Sequence, residues 1–403
     1  MKALVISACA PDATTEHQTG TTNWVLRLTQ LIARQHKTTL LTTPPVRDPW
    51  FEKSGVTVVE HEPEPVRNKL VRMGLSLAYG IYPSMWLLHS SQTSAYLRSV
   101  QPGQFDVCWI LEDYGGMYLK DLPRHLPAAF HRSYILSMQR SFWNAGEGLK
   151  ARLAGQYRKH TARAFDRWTT ARASLVSTGT PESCEFLKQN YRHNTIECLP
   201  VKPCHRPRPT TEDNLSTPRG PDGRLLAAYL ADMSFVRNAD GARWFLQEVL
   251  PAMPKPLRKQ YHFKFIGRKP DPVPDLGRLP TGSSVEFAGF VDDLTASLHQ
   301  AQVAFIPVFG GNGVRLKTLT LLGTGLPTVS TLDALEGLDL KNGEQVLEAT
   351  SPGDFVRALE KLLDADQRQS LSRSTLRAMD QFLGEEEDAA HVLELSRSIA
   401  HNT

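Results

Sequence analysis

Gly310, Gly311 and Gly313 follow closely on an apolar run that ends at Pro307, and Arg315 and Lys317 come next, where a helical pattern begins. Glycine lets the backbone turn tightly, and a helix that starts at once aims free N–H groups and the positive end of its dipole at one spot. With two cations beside it, that spot suits a phosphate or a pair of phosphates. An ordinary tight turn with two solvated cations has the same composition, so the turn alone leaves both readings open. Two more turns add weight to the first. Gly267 and Arg268 follow the apolar run His262 to Ile266, and the stretch from Asp232 to Asn238, with Ser234, Arg237 and Asn238, follows the run Leu225 to Leu230. Three strand ends that all present a cation or small polar groups make the kind of crevice in which α/β sheets bind nucleotides.

The elements that must carry these turns are strands alternating with helices, which argues for parallel sheets covered on both faces. In the first half, strands are expected at Ala3 to Ala8, Thr38 to Thr42, Val56 to Glu60, Phe105 to Leu111 and Ala173 to Ser177, with helices from about Thr22 to Gln35 and Asn144 to Trp168. From Leu199 to Arg224 the pattern dissolves into six prolines with glycine, asparagine and aspartate, which reads as a linker. Alternation then restarts. The second half is expected to hold strands at Leu225 to Leu230, His262 to Ile266, Val285 to Phe287, Val303 to Pro307 and Pro327 to Ser330. Its helices are expected at Ala239 to Leu250, Leu294 to Ala301 and Val314 to Gly323. An acidic turn over 384–388 leads into a last helix from about Ala389 to Ile399. The domain reading is therefore 1–198, a linker at 199–224, 225–383, and a carboxyl-terminal helix at 384–403 that packs back on the first domain. Two doubly wound domains of this kind hold ligands in the cleft that they face.

The 403 residues exceed what one hydrophobic core comfortably holds, and 41% hydrophobic with 22% charged residues is an ordinary globular composition. Five cysteines without a C-x-x-C pair suit neither a disulfide framework nor a zinc site, and no metal is expected. The amino terminus reads as a strand and not a signal peptide, and no apolar run is long enough to span a membrane. A cytoplasmic location follows, with peripheral contact at the inner face of the membrane as a further option. The net charge of +4 is unevenly spread. Between Arg124 and Arg172 ten Lys/Arg face only Glu147 and Asp166, a local +8 that leaves −4 for the rest. That window and the basic, then apolar and aromatic segment Arg67 to Leu88 fit an anionic acceptor or a lipid surface, although a half-buried helix and solvated helix faces have the same composition. Nothing in the basic windows has the aromatic interleaving that nucleic-acid binding favours.

The stretch from Phe287 to Pro327 resembles the group 1 glycosyltransferases, nucleotide-sugar enzymes of the GT-B fold, and among them the bacterial sugar transferases of exopolysaccharide clusters. The resemblance rests on Gly289-Phe290-Val291-Asp292-Asp293-Leu294, Leu298, Ala301, Val303, Pro307, Gly311, Gly313-Val314, Lys317, Leu319, Gly325, Pro327, Thr331 and Glu336-Gly337-Leu338. It extends upstream through Ser234 to Pro251 and downstream to Phe355, and is diffuse before Leu225. It implies that Gly311, Gly313, Arg315 and Lys317 hold a donor diphosphate, with Gly310, Asn312, Val314 and Thr320 also among the donor-binding positions. Ser234, Arg237, Asn238, Gly267 and Arg268 would lie nearby, and Glu336, Gly337 and Leu338 would face the nucleotide through their backbone. Gly20 would belong to a loop facing the donor, although a glycine beside a capping threonine is equally ordinary.

The sequence departs from the family at Thr320, where relatives carry a glutamate that accepts from the ribose hydroxyls, and at Asn312 and Pro200 to Pro203. His131, at a strand end after the apolar Ala128 to Phe130, and Glu112 or Asp113, after the strand ending at Leu111, are candidate catalytic groups, although such positions more often serve structural roles. Leaving-group stabilisation would fall to Arg315 and Lys317. The implied activity is sugar transfer from a nucleotide diphosphate sugar, a co-substrate and not a cofactor, to a glycan, lipid-linked or small-molecule acceptor, with retention. A degenerate GT-B protein that binds without transferring, or a transferase acting on a polymer such as nucleic acid, are the alternatives.

Overall fold

A computed structural model of the chain describes residues 1–12, 20–133, 135–138, 148–193, 195–204, 206–274, 278–310, 313–384 and 386–401. Gly311 and Asn312, two of the residues expected to meet the donor, lie outside this set, as does the expected start of the helix at Asn144. The chain divides into two compact units. The first contains the residues up to Cys204, Gly313 and the last helix, and the second contains 206–310 and 314–384.

Seven parallel strands form the first unit's sheet: β1 (Lys2–Ser7), β2 (Lys37–Thr42), β3 (Thr57–Glu60), β4 (Val107–Leu111), β5 (Ala128–Arg132), β6 (Leu175–Thr178) and β7 (Ile196–Cys198), in the order β3-β2-β1-β4-β5-β6-β7. β4 and β5 are buried along their whole length, as the central strands of a sheet covered on both faces must be. β5 and β7 go beyond the sequence reading, which saw Ala128 to Phe130 only as the end of a strand. The helix expected from Asn144 is described from Leu149 and runs to Arg172.

The second unit's sheet holds six parallel strands: β8 (Leu225–Leu230), β9 (Tyr261–Ile266), β10 (Val285–Gly289), β11 (Val303–Ile306), β12 (Thr328–Ser330) and β13 (Leu347–Glu348), in the order β10-β9-β8-β11-β12-β13. Strand order reverses at β8 and β11, which makes their carboxyl ends the switch point of the sheet. An aromatic core lies beneath it. Phe245 and Phe305 ring centroids are 4.4 Å apart, and Tyr229 is 5.6 Å from Phe305 and 5.7 Å from Phe265. Such pairs contribute about 0.5–1.5 kcal/mol each beyond their burial. They also fix Tyr229, whose hydroxyl donates to the Asn238 carbonyl (3.3 Å), directly under the site.

The Pro-rich stretch 199–224 is taken up by both units. Lys202 is buried in the first, where its Nζ donates to Asp388 Oδ1 (2.7 Å). In the second, Thr210 N donates to Thr324 O (2.8 Å) and the short helix Glu212–Ser216 buries Leu215, whose carbonyl accepts from Arg368 Nε (2.7 Å). Proline-rich backbone lacks periodicity but can still be docked through its carbonyls and remaining N–H groups. The last helix, Glu386–His401, begins inside the expected acidic turn. Asp388 is not solvated there: it is buried against Arg27 (3.2 Å) and Lys202, and Trp109 Nε1 donates to Ser396 Oγ (3.0 Å) further along the same helix. No helix among the described residues is long and apolar enough to cross a membrane.

Candidate functional site

The turns after β8, β9, β11 and β12 of the second unit come together. Gly267 has φ +115°, and a Cβ there would lie 2.1 Å from the Ala231 carbonyl oxygen, so only glycine lets the β8 and β9 turns close on one another. Met233 N then donates to Arg268 O (2.9 Å), joining the two turns. Within the β8 turn, Asp232 Oδ1 accepts from Ser234 N (3.0 Å) and Oγ (2.5 Å), and the Asp232 carbonyl accepts from Asn238 Nδ2 (2.6 Å). Arg268 is exposed, with Nη1 3.8 Å from Asp232 Oδ2.

Asn238 Oδ1 accepts from Lys317 Nζ (2.5 Å), and the same ammonium sits 5.4 Å from the centre of the Tyr229 ring. The contact depends on a second close approach. In the helix Val236–Trp244, a Cβ on Gly241 would lie 1.9 Å from the Pro307 carbonyl oxygen, so glycine there seats the helix on the end of β11. Burial lowers the Lys317 pKa to about 7, and the neighbouring Arg315 charge pushes it the same way.

Arg315 precedes the helix Leu316–Gly323 and clasps the glycine turn. Its guanidinium donates to Gly310 O (2.7 Å) and to Asp333 O, while Gly310 N donates to Asp333 Oδ2 (2.7 Å). Burial lowers the Arg315 pKa and Arg237 adds to that, against the Glu336 and Asp333 carboxylates. Arg237 and Glu336 are therefore close enough to be felt at the same guanidinium. Gly310 (φ +65°), Gly313 (φ +94°) and Gly337 (φ +78°) all hold left-handed backbone. Val314 and Leu338 pack beside the small apolar cluster of Leu319, Leu322, Met379 and Leu383, which anchors the helix under the turn. Thr320 is half-buried, and its hydroxyl donates to Leu316 O (2.9 Å), back along its own helix. Asp333 and Tyr229 are absent from the expected site. Asp333 lies just past β12 and close to Glu336, so its position after a strand end was the available signal.

The sequence model of the family described as "Glycosyl transferases group 1" matches residues 226–365, which takes in all four turns with Asn238, Arg268, Arg315, Lys317 and Asp333. The fold of the whole chain is that of GT-B glycosyltransferases. Sucrose-phosphate synthase (tll1590) from Thermosynechococcus elongatus is similar over 100% of both chains, with a TM-score of 0.69 and 12% identity. Anabaena HepE, solved with UDP and glucose, is similar over 99% of this chain and 100% of its own, with a TM-score of 0.65 and 12% identity. WaaG, a glycosyltransferase involved in lipopolysaccharide biosynthesis, is similar over 98% of this chain and 99% of its own, with a TM-score of 0.63 and 14% identity. No curated protein matches the chain.

The candidate groups of the first unit have structural partners. His131, on β5, is fully buried, with Nδ1 2.9 Å from Ser177 Oγ and its ring 4.4 Å from the Trp24 ring. Burial pushes its pKa down to about 3, which keeps the imidazole neutral, and Nε2 has no hydrogen-bond partner among the described residues. The side chain expected at an open strand end is instead covered by the helix Gly20–Gln35, to which Trp24 belongs. Gly20 itself is the exposed first residue of that helix.

Glu112 has φ +65° and closes the turn after β4. Its Oε1 accepts from Ala8 N and Gly115 N (both 2.9 Å) and its Oε2 from Tyr114 N (2.6 Å). Burial pushes its pKa up to about 8, while those three N–H groups pull the other way. Asp113 and Asp166 flank Arg132, at 2.9 and 2.5 Å, with all three side chains fully buried. Burial works against the Arg132 charge, but the two carboxylates outweigh it and raise its pKa. Asp113 thus holds a core cation and does not face solvent. Among the described residues no three His, Cys, Asp or Glu side chains are grouped to hold a metal.

Proposed function

We propose that the protein transfers a sugar, with retention, from a nucleoside diphosphate sugar bound by the second unit to an acceptor bound by the first. The single observation that carries this reading is the pairing of Lys317 with Asn238 over Tyr229, beside the Arg315-clasped glycine turn at the switch point of the sheet. In transfer the bond from the anomeric carbon to the diphosphate oxygen breaks and its electron pair stays on the diphosphate. The acceptor oxygen forms the new bond on the same face and gives up its proton to the departing diphosphate oxygen. Negative charge therefore grows on the diphosphate, and preorganised cations and N–H groups aimed at it lower the barrier. Lys317, held at a pKa of about 7, gains its full charge as the diphosphate arrives. With these charges supplied by side chains, the reading needs no metal.

Arg268, Ser234 and Arg237 border the same turns and support a place for the nucleotide. HepE, solved with UDP-glucose, makes uridine nucleotides the first donors to try. The +8 window favours an anionic or lipid-linked acceptor; the buried Arg132 and Asp166 cancel within it and leave its balance unchanged. A second reading, binding without transfer, is favoured by Thr320, whose hydroxyl is already spent on Leu316 O and carries no charge for a ribose. The test is release of nucleoside diphosphate from a panel of nucleotide sugars. The proposal expects turnover with at least one donor and a loss of about 10²–10³-fold in Arg315→Ala. Turnover that Arg315→Ala leaves unchanged contradicts it, and donor binding with no turnover selects the second reading.

A further inference from the structure

The helix Lys69–Tyr79 turns its apolar side outward. Leu70, Gly74 and Leu77 fall at i, i+4 and i+7 with Val71 and Ala78 beside them, and all five are exposed, Leu70 by 77% and Leu77 by 62%. Its inward side holds the buried Ser76, the half-buried Leu75, which packs against the first unit's core, and the half-buried Arg72, whose Nη1 donates to Val66 O (2.9 Å) and Arg67 O (3.0 Å). A helix on a water-facing surface ordinarily keeps its outer side polar. The patch continues onto a second helix. Tyr157 OH donates to Met73 O (3.1 Å), and one and two turns earlier on that side of the helix Leu149–Arg172, Leu153 and Leu149 are exposed by 62% and 73%. Exposed cations border both helices: Arg67 and Lys69 on one, Lys150 and Arg152 on the other. No Asp or Glu occurs in 65–105 or in 148–165.

We propose that this face docks on an anionic lipid surface, with Leu70, Leu77, Leu149 and Leu153 entering the acyl boundary and the four cations meeting the headgroups. Apolar area and flanking Lys/Arg without acids is the combination that interfacial binding uses. A second copy of the chain would bring the same cations against one another, which the charge pattern disfavours. The proposal goes beyond the transferase reading and does not rest on it, because binding is measured without any sugar.

The test is flotation of the full chain with vesicles of phosphatidylglycerol and phosphatidylcholine against vesicles of phosphatidylcholine alone, with the monomeric state checked by light scattering. The chain is expected on the anionic vesicles only, released by raised salt. Leu70→Glu with Leu77→Glu is expected to weaken binding by about tenfold or more, and Lys150→Ala with Arg152→Ala to weaken it while leaving the melting temperature unchanged. Both pairs change exposed side chains, so circular dichroism should show a wild-type fold. Failure to float, or flotation that both double variants leave unchanged, overturns the proposal. So does a dimer that Leu70→Glu with Leu77→Glu dissolves, which would make the face a contact between copies.

Discussion

At the scale of single residues, the chemistry of the site turns on how Lys317 is held. Asn238 accepts one of its protons and the Tyr229 ring lies beneath it, yet burial and Arg315 bring its pKa to about 7. As pH falls from about 8.5 to about 6 the charged fraction rises, so affinity for a nucleotide sugar should rise by about tenfold or more. The diphosphate of a nucleotide sugar does not titrate in that range, which leaves the lysine as the group being read. Titration in buffers of different ionisation enthalpy should show proton uptake on binding above pH 7, and a flat profile would contradict the assignment. The stability sign is separate. The folded pKa lies below the unfolded one, so between pH 7 and 10.5 the unfolded chain holds the proton that the folded chain has lost, and this lysine makes stability rise with pH across that window. Residue types showed Arg315 and Lys317 in the sequence because glycines and cations at a strand end are a local signal. Burial of His131 and the turn of the Thr320 hydroxyl onto Leu316 O depend on neighbours distant in sequence or on rotamer, and spacing carries no trace of either.

At the scale of elements, the site exists because four turns can approach within contact. Gly267 and Gly241 remove the side-chain atoms that would otherwise collide with Ala231 O and Pro307 O. Replacing Gly267 with Ala should cost about 1–3 kcal/mol, since it adds a Cβ to a φ of +115° and forces the β8 and β9 turns apart. Chemical denaturation measures the loss, and a neutral result would mean that the turns separate freely. Apolar runs of strand length made ten of the thirteen strands readable, including β8 and β11 at the switch point. β5 was seen only as Ala128 to Phe130 because His131 and Arg132 break its apolar run, and both are buried with partners that no local window contains. The acidic stretch 384–388 misled for the same reason: Asp388 pairs with Arg27 and Lys202, far away in the chain.

At the scale of the whole molecule, there are two parallel-sheet units, and the side chains proposed to hold the donor, Asn238, Arg268, Arg315, Lys317 and Asp333, all belong to the second. A ligand that binds only the folded form stabilises it in proportion to the logarithm of its concentration over its dissociation constant. Length and alternation made the two-unit plan legible, and the last helix, which belongs to the first unit, buries Val392, Leu395 and Ile399 and adds the polar contacts of Asp388 and Ser396, whose partners are distant in sequence. The central claim is that Lys317 and its surroundings hold a diphosphate. Calorimetric titration of uridine, guanosine, adenosine and thymidine diphosphates into the wild-type chain and Lys317→Ala tests it most directly. At least one should bind the wild type, and Lys317→Ala should weaken that binding by about tenfold or more. Equal affinity in the two proteins, or no binding to the wild type by any of the four, would contradict it.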